Sequence, residues 1–290
     1  MATTIDNLSQ LRIWKPPYIG DAIISDGILL PETRLLAVGA PKAWKSMQSI
    51  HLGTCIATGR SWFGYKTRQC SILKIQTELP KATDKERILK YMEHFKSKHG
   101  LTADPDNVFF KTPQEKFKLD TPVGYAQLKH DIEEVKSRSN PGTQLVLVLD
   151  PLYKMMAGKI TDEYDVKKFQ DNIDDLMHQY HFATIMAHHT RKSRGEQDSG
   201  GNLLDFGGEE SMGSSYWGNW CDTFLKLTVK NPFKGKDIVA IQFIYTRNAQ
   251  RDLPDFQIKW ERNTLLPELL TCEAPTGTTL SVRNIIEERG

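Results

Sequence analysis

Eight consecutive residues, Gly39, Ala40, Pro41, Lys42, Ala43, Trp44, Lys45 and Ser46, restrict the fold of this chain more than any other segment. The apolar run Arg34–Val38 before them has the length of a buried strand. Behind them Met47, Ile50 and Cys55 recur at helical spacing as far as about Thr58. A strand that stops at a glycine and re-enters a helix through Lys-Ser gathers backbone N–H groups at the helix N-terminus, an arrangement that holds phosphate. In such a loop Lys45 reaches the β- and γ-phosphates, and the Ser46 hydroxyl is a ligand for Mg²⁺. Gly39 through Met47 are therefore the candidate nucleotide-binding residues. Trp44 departs from the common pattern, because a glycine usually precedes the lysine. Taken alone, the octapeptide also suits a plain turn followed by a solvated helix start.

The rest of the chain alternates in the same manner. Strands are expected at 71–77, 108–110, 145–149 and 182–187. Helices carry Ile88, Met92 and Phe95, then Tyr125, Leu128, Ile132 and Val135, then Val166, Phe169, Ile173, Leu176, Met177 and Tyr180. Leu145–Leu149 is continuously apolar, as a central parallel strand covered on both faces must be. From 223 onward three strands (223–229, 238–245, 256–260) follow one another without room for helices. The expected fold is α/β, a mainly parallel central sheet flanked by helices with an antiparallel C-terminal extension. Residues 1–33 read as an arm of the kind that packs on a neighbour, 34–265 as the main domain, and 266–290 as a tail. Within that tail Thr279–Arg289 looks like the opening helix of a winged-helix module that is then cut off.

With 38 Lys plus Arg against 36 Asp plus Glu, the net charge of +2 excludes a histone-like or acidic-tail protein. No apolar stretch approaches the ~20 residues of a membrane span, and the start lacks the basic head and apolar run of a signal peptide. Four scattered cysteines without a Cys-x-x-Cys pair fit reduced thiols, so a cytoplasmic location and no membrane partner are expected.

Three more positions carry chemistry. Asp150 closes the apolar strand 145–149, where a carboxylate can face Mg²⁺; a turn aspartate before Pro151 is the plain alternative. Glu78 closes the strand 71–77, where a carboxylate can orient or deprotonate water beside a γ-phosphate. His189, at the end of the strand next to Asp150's, can hydrogen-bond that phosphate. A metal reading of His188 and His189 with His178 and His181 fails on strand geometry, since neighbours point to opposite faces, and no carboxylate or cysteine spacing completes a ligand set. Arg247, after a late strand, is either a charged strand terminus or an arginine finger offered to an adjacent subunit.

Together these residues resemble RecA-like ATPases of the RepA type, related to DnaB-class ring helicases and RadA-like proteins. The similarity rests on 39–46, 57–64, Gln76–Glu78, Leu149–Leu152, His188–Lys192 and Met212–Ser215, in that order, and spans roughly residues 20 to 262. It implies Lys45 and Ser46 as nucleotide ligands, Glu78 as catalytic carboxylate, Asp150 as the Mg²⁺-side aspartate and His189 as γ-phosphate sensor. Asp222 stands where RepA-type helicases can carry an arginine. Arg247 resembles the arginine of the Lys-x-Arg-Asn segment of DnaB-class rings, with Tyr245 in place of the lysine.

In that fold the loops 153–162 and 193–211 line a channel for single-stranded DNA. Lys154, Lys159, Arg191, Lys192 and Arg194 are then the candidate phosphate contacts. The second loop carries Arg194 against Glu196, Asp198, Asp205, Glu209 and Glu210, a balance of −4 that repels a DNA backbone. The resemblance implies a Mg²⁺-dependent ATPase acting on DNA as a head-to-tail homo-oligomer, a ring with six as the expected number or a filament. Its implied setting is a plasmid- or phage-type replicative helicase. The alternative is a RadA-like recombination or repair accessory that binds ATP and single-stranded DNA without unwinding. A small-molecule kinase would need an acceptor pocket and lid, and the late antiparallel strands argue against it. An intact Glu78 argues against a nucleotide-switched scaffold without turnover.

Overall fold

Leu145–Asp150 is buried at every residue, which requires a strand inside the sheet with helices on both faces. The computed structural model, which describes residues 5–18, 20–112, 117–189, 215–230, 237–273 and 279–280, places it there. In chain order the elements begin with α1 (Leu8–Ile13), β1 (Arg34–Gly39), α2 (Lys45–Thr58), β2 (Ser71–Gln76), α3 (Lys81–His99), β3 (Val108–Lys111), α4 (Pro122–Arg138) and β4 (Leu145–Asp150). They continue with α5 (Glu163–Tyr180), β5 (Ala183–His189), α6 (Ser215–Trp220), β6 (Thr223–Lys230), β7 (Ile238–Thr246), β8 (Phe256–Trp260), β9 (Pro267–Glu273) and β10 (Thr279–Leu280). The sheet order is β10-β9-β8-β7-β6-β1-β5-β4-β2-β3. Neighbours from β6 to β3 run parallel, and those from β6 to β10 antiparallel.

The period-2 pattern of the strands divides the core in two. Leu35, Ala37, Val146, Val148 and Ile185 face α2 and α3; Leu36, Val38, Leu147, Leu149 and Met186 face α4 and α5. Helix boundaries follow local chemistry. Thr121 accepts the N–H of Gly124 at 3.1 Å with Pro122 in the first turn of α4, and Asp162 accepts the N–H of Asp165 at 3.1 Å to open α5. Gly59 closes α2 in the left-handed region, at φ 65°. Among the described residues no helix is long and apolar enough to cross a membrane.

The parallel α/β core with an antiparallel extension is as the sequence pattern implies, with four corrections. The pattern groups the strand at 223–229 with the antiparallel extension, yet β6 pairs parallel with β1, so the reversal starts at β7. Part of the arm 1–33 belongs to the main domain: Ile23, Ile24, Ile28 and Leu29 are buried in the α2 side of the core, and only the segment through α1 stands away. The sheet runs past residue 265, because β9 pairs with β8 from Trp260↔Pro267 to Phe256↔Cys272. Thr279–Leu280, expected to open a helix, instead pairs antiparallel with β9; 281–290 lie outside the described residues.

Candidate active site

The C-terminal ends of β1, β2, β4 and β5 converge on one side of the sheet, where open parallel sheets place ligands. The loop after β1 starts at Gly39, and a Cβ there would lie 2.6 Å from the Leu227 carbonyl oxygen of β6, so only glycine lets these strands approach. Lys42 (φ 68°) and Trp44 (φ 60°) are both left-handed, curling the loop back onto the start of α2. A tryptophan in that conformation costs about 1–2 kcal/mol. It is held by a near-parallel stack on Trp260 of β8, with centroids 5.1 Å apart and planes 4° apart. Stacking of this kind contributes ~1 kcal/mol beyond burial. That contact accounts for an aromatic at a position that otherwise calls for glycine.

Lys45 is buried, and its Nζ donates to the carbonyls of Gly39 (2.7 Å) and Ala40 (2.8 Å), closing the loop on itself. Burial pulls its pKa down to about 8, against the opposing pull of the Asp150 and Glu78 charges. Ser46 Oγ lies 3.2 Å from Asp150 Oδ1. A hydroxyl and a carboxylate at this spacing are the hard oxygen donors that Mg²⁺ takes alongside phosphate and water. The donor set therefore fits the ion. Buried beneath them, Lys74 of β2 donates to Asp150 Oδ2 at 2.8 Å. Asp150 stays ionised: its own burial pushes the pKa up, but Lys74 and the Ser46 hydroxyl bring it below the ordinary carboxylate value.

β2 ends at Gln76, so Glu78 sits in the following turn rather than on the strand. The buried Gln76 side chain builds that turn, its Oε1 accepting the N–H groups of Glu78 and of Leu79 (2.8 Å). The Glu78 carboxyl is thereby presented at the cleft, 38% exposed and 3.9 Å from His189 Nε2. His189 pairs in register with Gly39, while His188 beside it is buried on the other face. Burial and then the Lys45 charge lower the His189 pKa, so the ring is neutral near pH 7 and can donate one hydrogen bond. Tyr153 packs edge-on against it, with centroids 5.5 Å apart. The resulting cleft, about 480 Å³, is lined by Pro41 through Met47, Glu78 and His189, together with Arg87, Arg262 and Leu265.

Sequence reasoning does not single out Lys74, Arg87, Arg262 or Leu265. Lys74 has a signal: it is the one charge in an otherwise apolar strand interior, Ile72–Ile75. Arg87 is flagged only by lying beside the inward Ile88. Arg262 and Leu265 arrive on the turn between β8 and β9, and nothing local announces it.

Other candidates lie elsewhere. Arg247 is exposed at the end of β7, beside the start of β6, which is the opposite end of the sheet from Gly39. It donates to the Asn219 carbonyl at 2.7 Å. Lys159 is exposed and Lys154 half-buried in a segment stitched down by Asp120, which accepts the N–H groups of Ala157 and Gly158. Lys118 adds to that stitching through the carbonyls of Lys154 and Met156. Arg191, Lys192 and Arg194 fall outside the described residues. Among the described residues no cluster of three or more His, Cys, Asp or Glu could hold a metal ion.

A phosphate loop with an aspartate, a glutamate and a histidine gathered at the ends of neighbouring strands of a mainly parallel sheet is the layout of a P-loop ATPase of the RecA-like class. The chain belongs to the AAA_25 family, an AAA domain, whose model matches residues 13–195. Among solved structures, one isolated ATPase domain superposes with a TM-score of 0.58 at 11% identity, over 81% of this chain and 84% of that one. A DnaB-like replicative helicase, solved for its interactions with primase, gives 0.56 at 12% identity over 80% of this chain. The chain spans 56% of that helicase. No curated protein sequence matches.

Proposed function

We propose that this ATPase is a Mg²⁺-dependent motor that acts on single-stranded DNA in the cytoplasm as a head-to-tail homo-oligomer, in the manner of a plasmid- or phage-type replicative helicase. The observation that carries the reading is the convergence of Ser46, Asp150, Glu78 and His189 around one phosphate loop. The likeness to a DnaB-like replicative helicase supports it.

In this reading the Lys45 ammonium leaves the Gly39 and Ala40 carbonyls for the β- and γ-phosphates, while the N–H groups at the start of α2 hold the same oxygens. Ser46 and Asp150 would hold Mg²⁺, which would supply charge neutralisation for those phosphates. The Glu78 carboxylate takes the proton of the attacking water, and the neutral His189 ring donates to the γ-phosphate. Arg247, on the face opposite its own cleft, serves the nucleotide of the adjacent subunit. α1 leaves Leu8, Leu11 and Ile13 exposed, as a segment that docks on a neighbour would. Lys154 and Lys159, with Arg191, Lys192 and Arg194, meet the DNA phosphates.

The test is ATP hydrolysis with and without single-stranded DNA at low and moderate salt, on wild type and on mixed oligomers. Arg247→Ala and Lys45→Ala are each expected to be inactive alone and to recover turnover when mixed, since one supplies an intact cleft and the other an intact finger. Turnover indifferent to DNA, with no recovery on mixing, contradicts the motor and favours the accessory ATPase.

A further inference from the structure

Lys74 is the one charged side chain inside β2, and it is 2% exposed. Its Nζ donates to Asp150 Oδ2 (2.8 Å) and to Ser49 Oγ (3.0 Å), and Ser49 Oγ lies 3.3 Å from the same Oδ2. The other carboxylate oxygen, Oδ1, accepts from Ser46 at 3.2 Å. Asp150 is thus divided: one oxygen is consumed inside the layer between sheet and helix α2, and one faces the phosphate loop. A buried ion pair is a poor device for stability, because an apolar side chain of the same volume fills the place without desolvating two charges. Its consequence here is electrostatic. Around Asp150 stand Lys45, Lys74 and Arg87 against Asp150, Glu78 and Asp84, the last paired with Arg87 at 2.7 Å, so the site carries no net negative charge before any ligand arrives.

We propose that Lys74 is a positioning residue that makes capture of the divalent cation conditional on nucleotide. With Asp150 neutralised from behind, Ser46 and Asp150 alone do not hold Mg²⁺. The cation enters only with the phosphates, whose negative charge tips the local balance, and it meets an Asp150 already fixed with Oδ1 on the Ser46 hydroxyl. The inference rests on reading the cleft as a Mg²⁺–ATP site.

Binding of Mn²⁺ to the nucleotide-free protein, counted from loss of the free-ion electron paramagnetic resonance signal, tests it together with thermal melting in millimolar Mg²⁺. Wild type and Lys74→Arg are expected to bind Mn²⁺ too weakly to deplete the free-ion signal without nucleotide and to melt at a temperature that Mg²⁺ does not move. Lys74→Met, which strips Asp150 of its counter-charge, is expected to melt lower, to bind Mn²⁺ at least tenfold more tightly than wild type, and to regain its melting temperature with Mg²⁺. Lys74→Met/Asp150→Asn should fold and lose both responses. If Lys74→Met does not fold, Lys74→Gln carries the same expectation. Wild type that binds Mn²⁺ unaided, or a folded Lys74→Met that ignores the cation, overturns the proposal. Failure of Mg²⁺–ATP to raise the melting temperature of wild type would instead overturn the reading of the cleft.

Discussion

At the start of β1 the Arg34 guanidinium donates through Nε and Nη2 to Asp174 and through Nη1 to Asp222, whose Oδ2 also accepts the Arg34 backbone N–H. Trp220 donates its indole N–H to Asp174 and lies under the guanidinium, 5.2 Å from ring centroid to carbon. At Gly39, five residues along the strand and about 17 Å away, Lys45 reaches back from the start of α2; it also stands near carboxylates but donates to two main-chain carbonyls. Both ends of the strand therefore combine a cation with carboxylates, and they differ in saturation. The Arg34 cluster finds its acceptors within the protein and holds β1, α5, α6 and the start of β6 together. The Lys45 cluster has a cation held only by main-chain carbonyls, with the Ser46 hydroxyl at the cleft and the buried Asp150 behind it, which suits a ligand that is both anionic and metal-bound.

The sharpest way to break this comparison is to remove each cation. Lys45→Ala should abolish nucleotide binding and turnover, by more than ~10³-fold, while leaving the melting temperature of the free protein nearly unchanged. Arg34→Ala should do the reverse. Its loss strands Asp174 and Asp222 and costs about 2 kcal/mol, a fall of ~4–8 °C in a chain of this size, with the KM for ATP unaltered. If Arg34→Ala impaired nucleotide binding at temperatures where it is folded, the two ends would not be separable.

Acidity sharpens the contrast further. The folded pKa of Lys45, about 8, lies below its ordinary 10.5, so between these values the unfolded chain binds more protons than the folded one. Lys45's contribution to stability accordingly rises with pH across that window. Affinity for phosphate has the opposite sign, since above pH 8 the free site holds a neutral amine. Nucleotide affinity is expected to weaken by about fivefold from pH 8 to pH 9 and to approach tenfold per unit only above that. Lys45→Arg should remove that slope in a calorimetric titration.

The smallest effect is expected at Trp44. Trp44→Gly relieves the left-handed backbone and loses the stack on Trp260, two changes of ~1 kcal/mol that oppose each other. Trp44→Ala keeps the strain and loses the stack, so it should melt below Trp44→Gly. Equal melting temperatures would show that the left-handed backbone at Trp44 carries no strain.

Legibility of the sequence follows from how local each signal is. The phosphate loop, Asp150 and His189 each sit at the end of an apolar run long enough to declare a strand, so position alone assigns them a role. Glu78 is displaced by two residues from its strand end because the Gln76 amide builds a turn there, a side-chain effect that periodicity does not carry. Ile23–Ile24 and Ile28–Leu29 are too short, and too soon interrupted by Asp26–Gly27, to read as core. β9 has only the adjacent pair Leu269-Leu270 between Glu268 and Thr271, with no apolar alternation to declare a strand, so its pairing with β8 comes from tertiary contact. Arg262 and Leu265 reach the cleft only through that pairing.

Steady-state ATP hydrolysis by Glu78→Gln beside wild type, with nucleotide binding measured on the same samples, addresses the central claim most directly. A carboxylate that accepts the proton of the attacking water is worth 10²–10⁴-fold. Turnover should therefore fall by at least ~100-fold while nucleotide affinity stays within about twofold. Turnover that persists in Glu78→Gln would contradict the assignment of the cleft's chemistry.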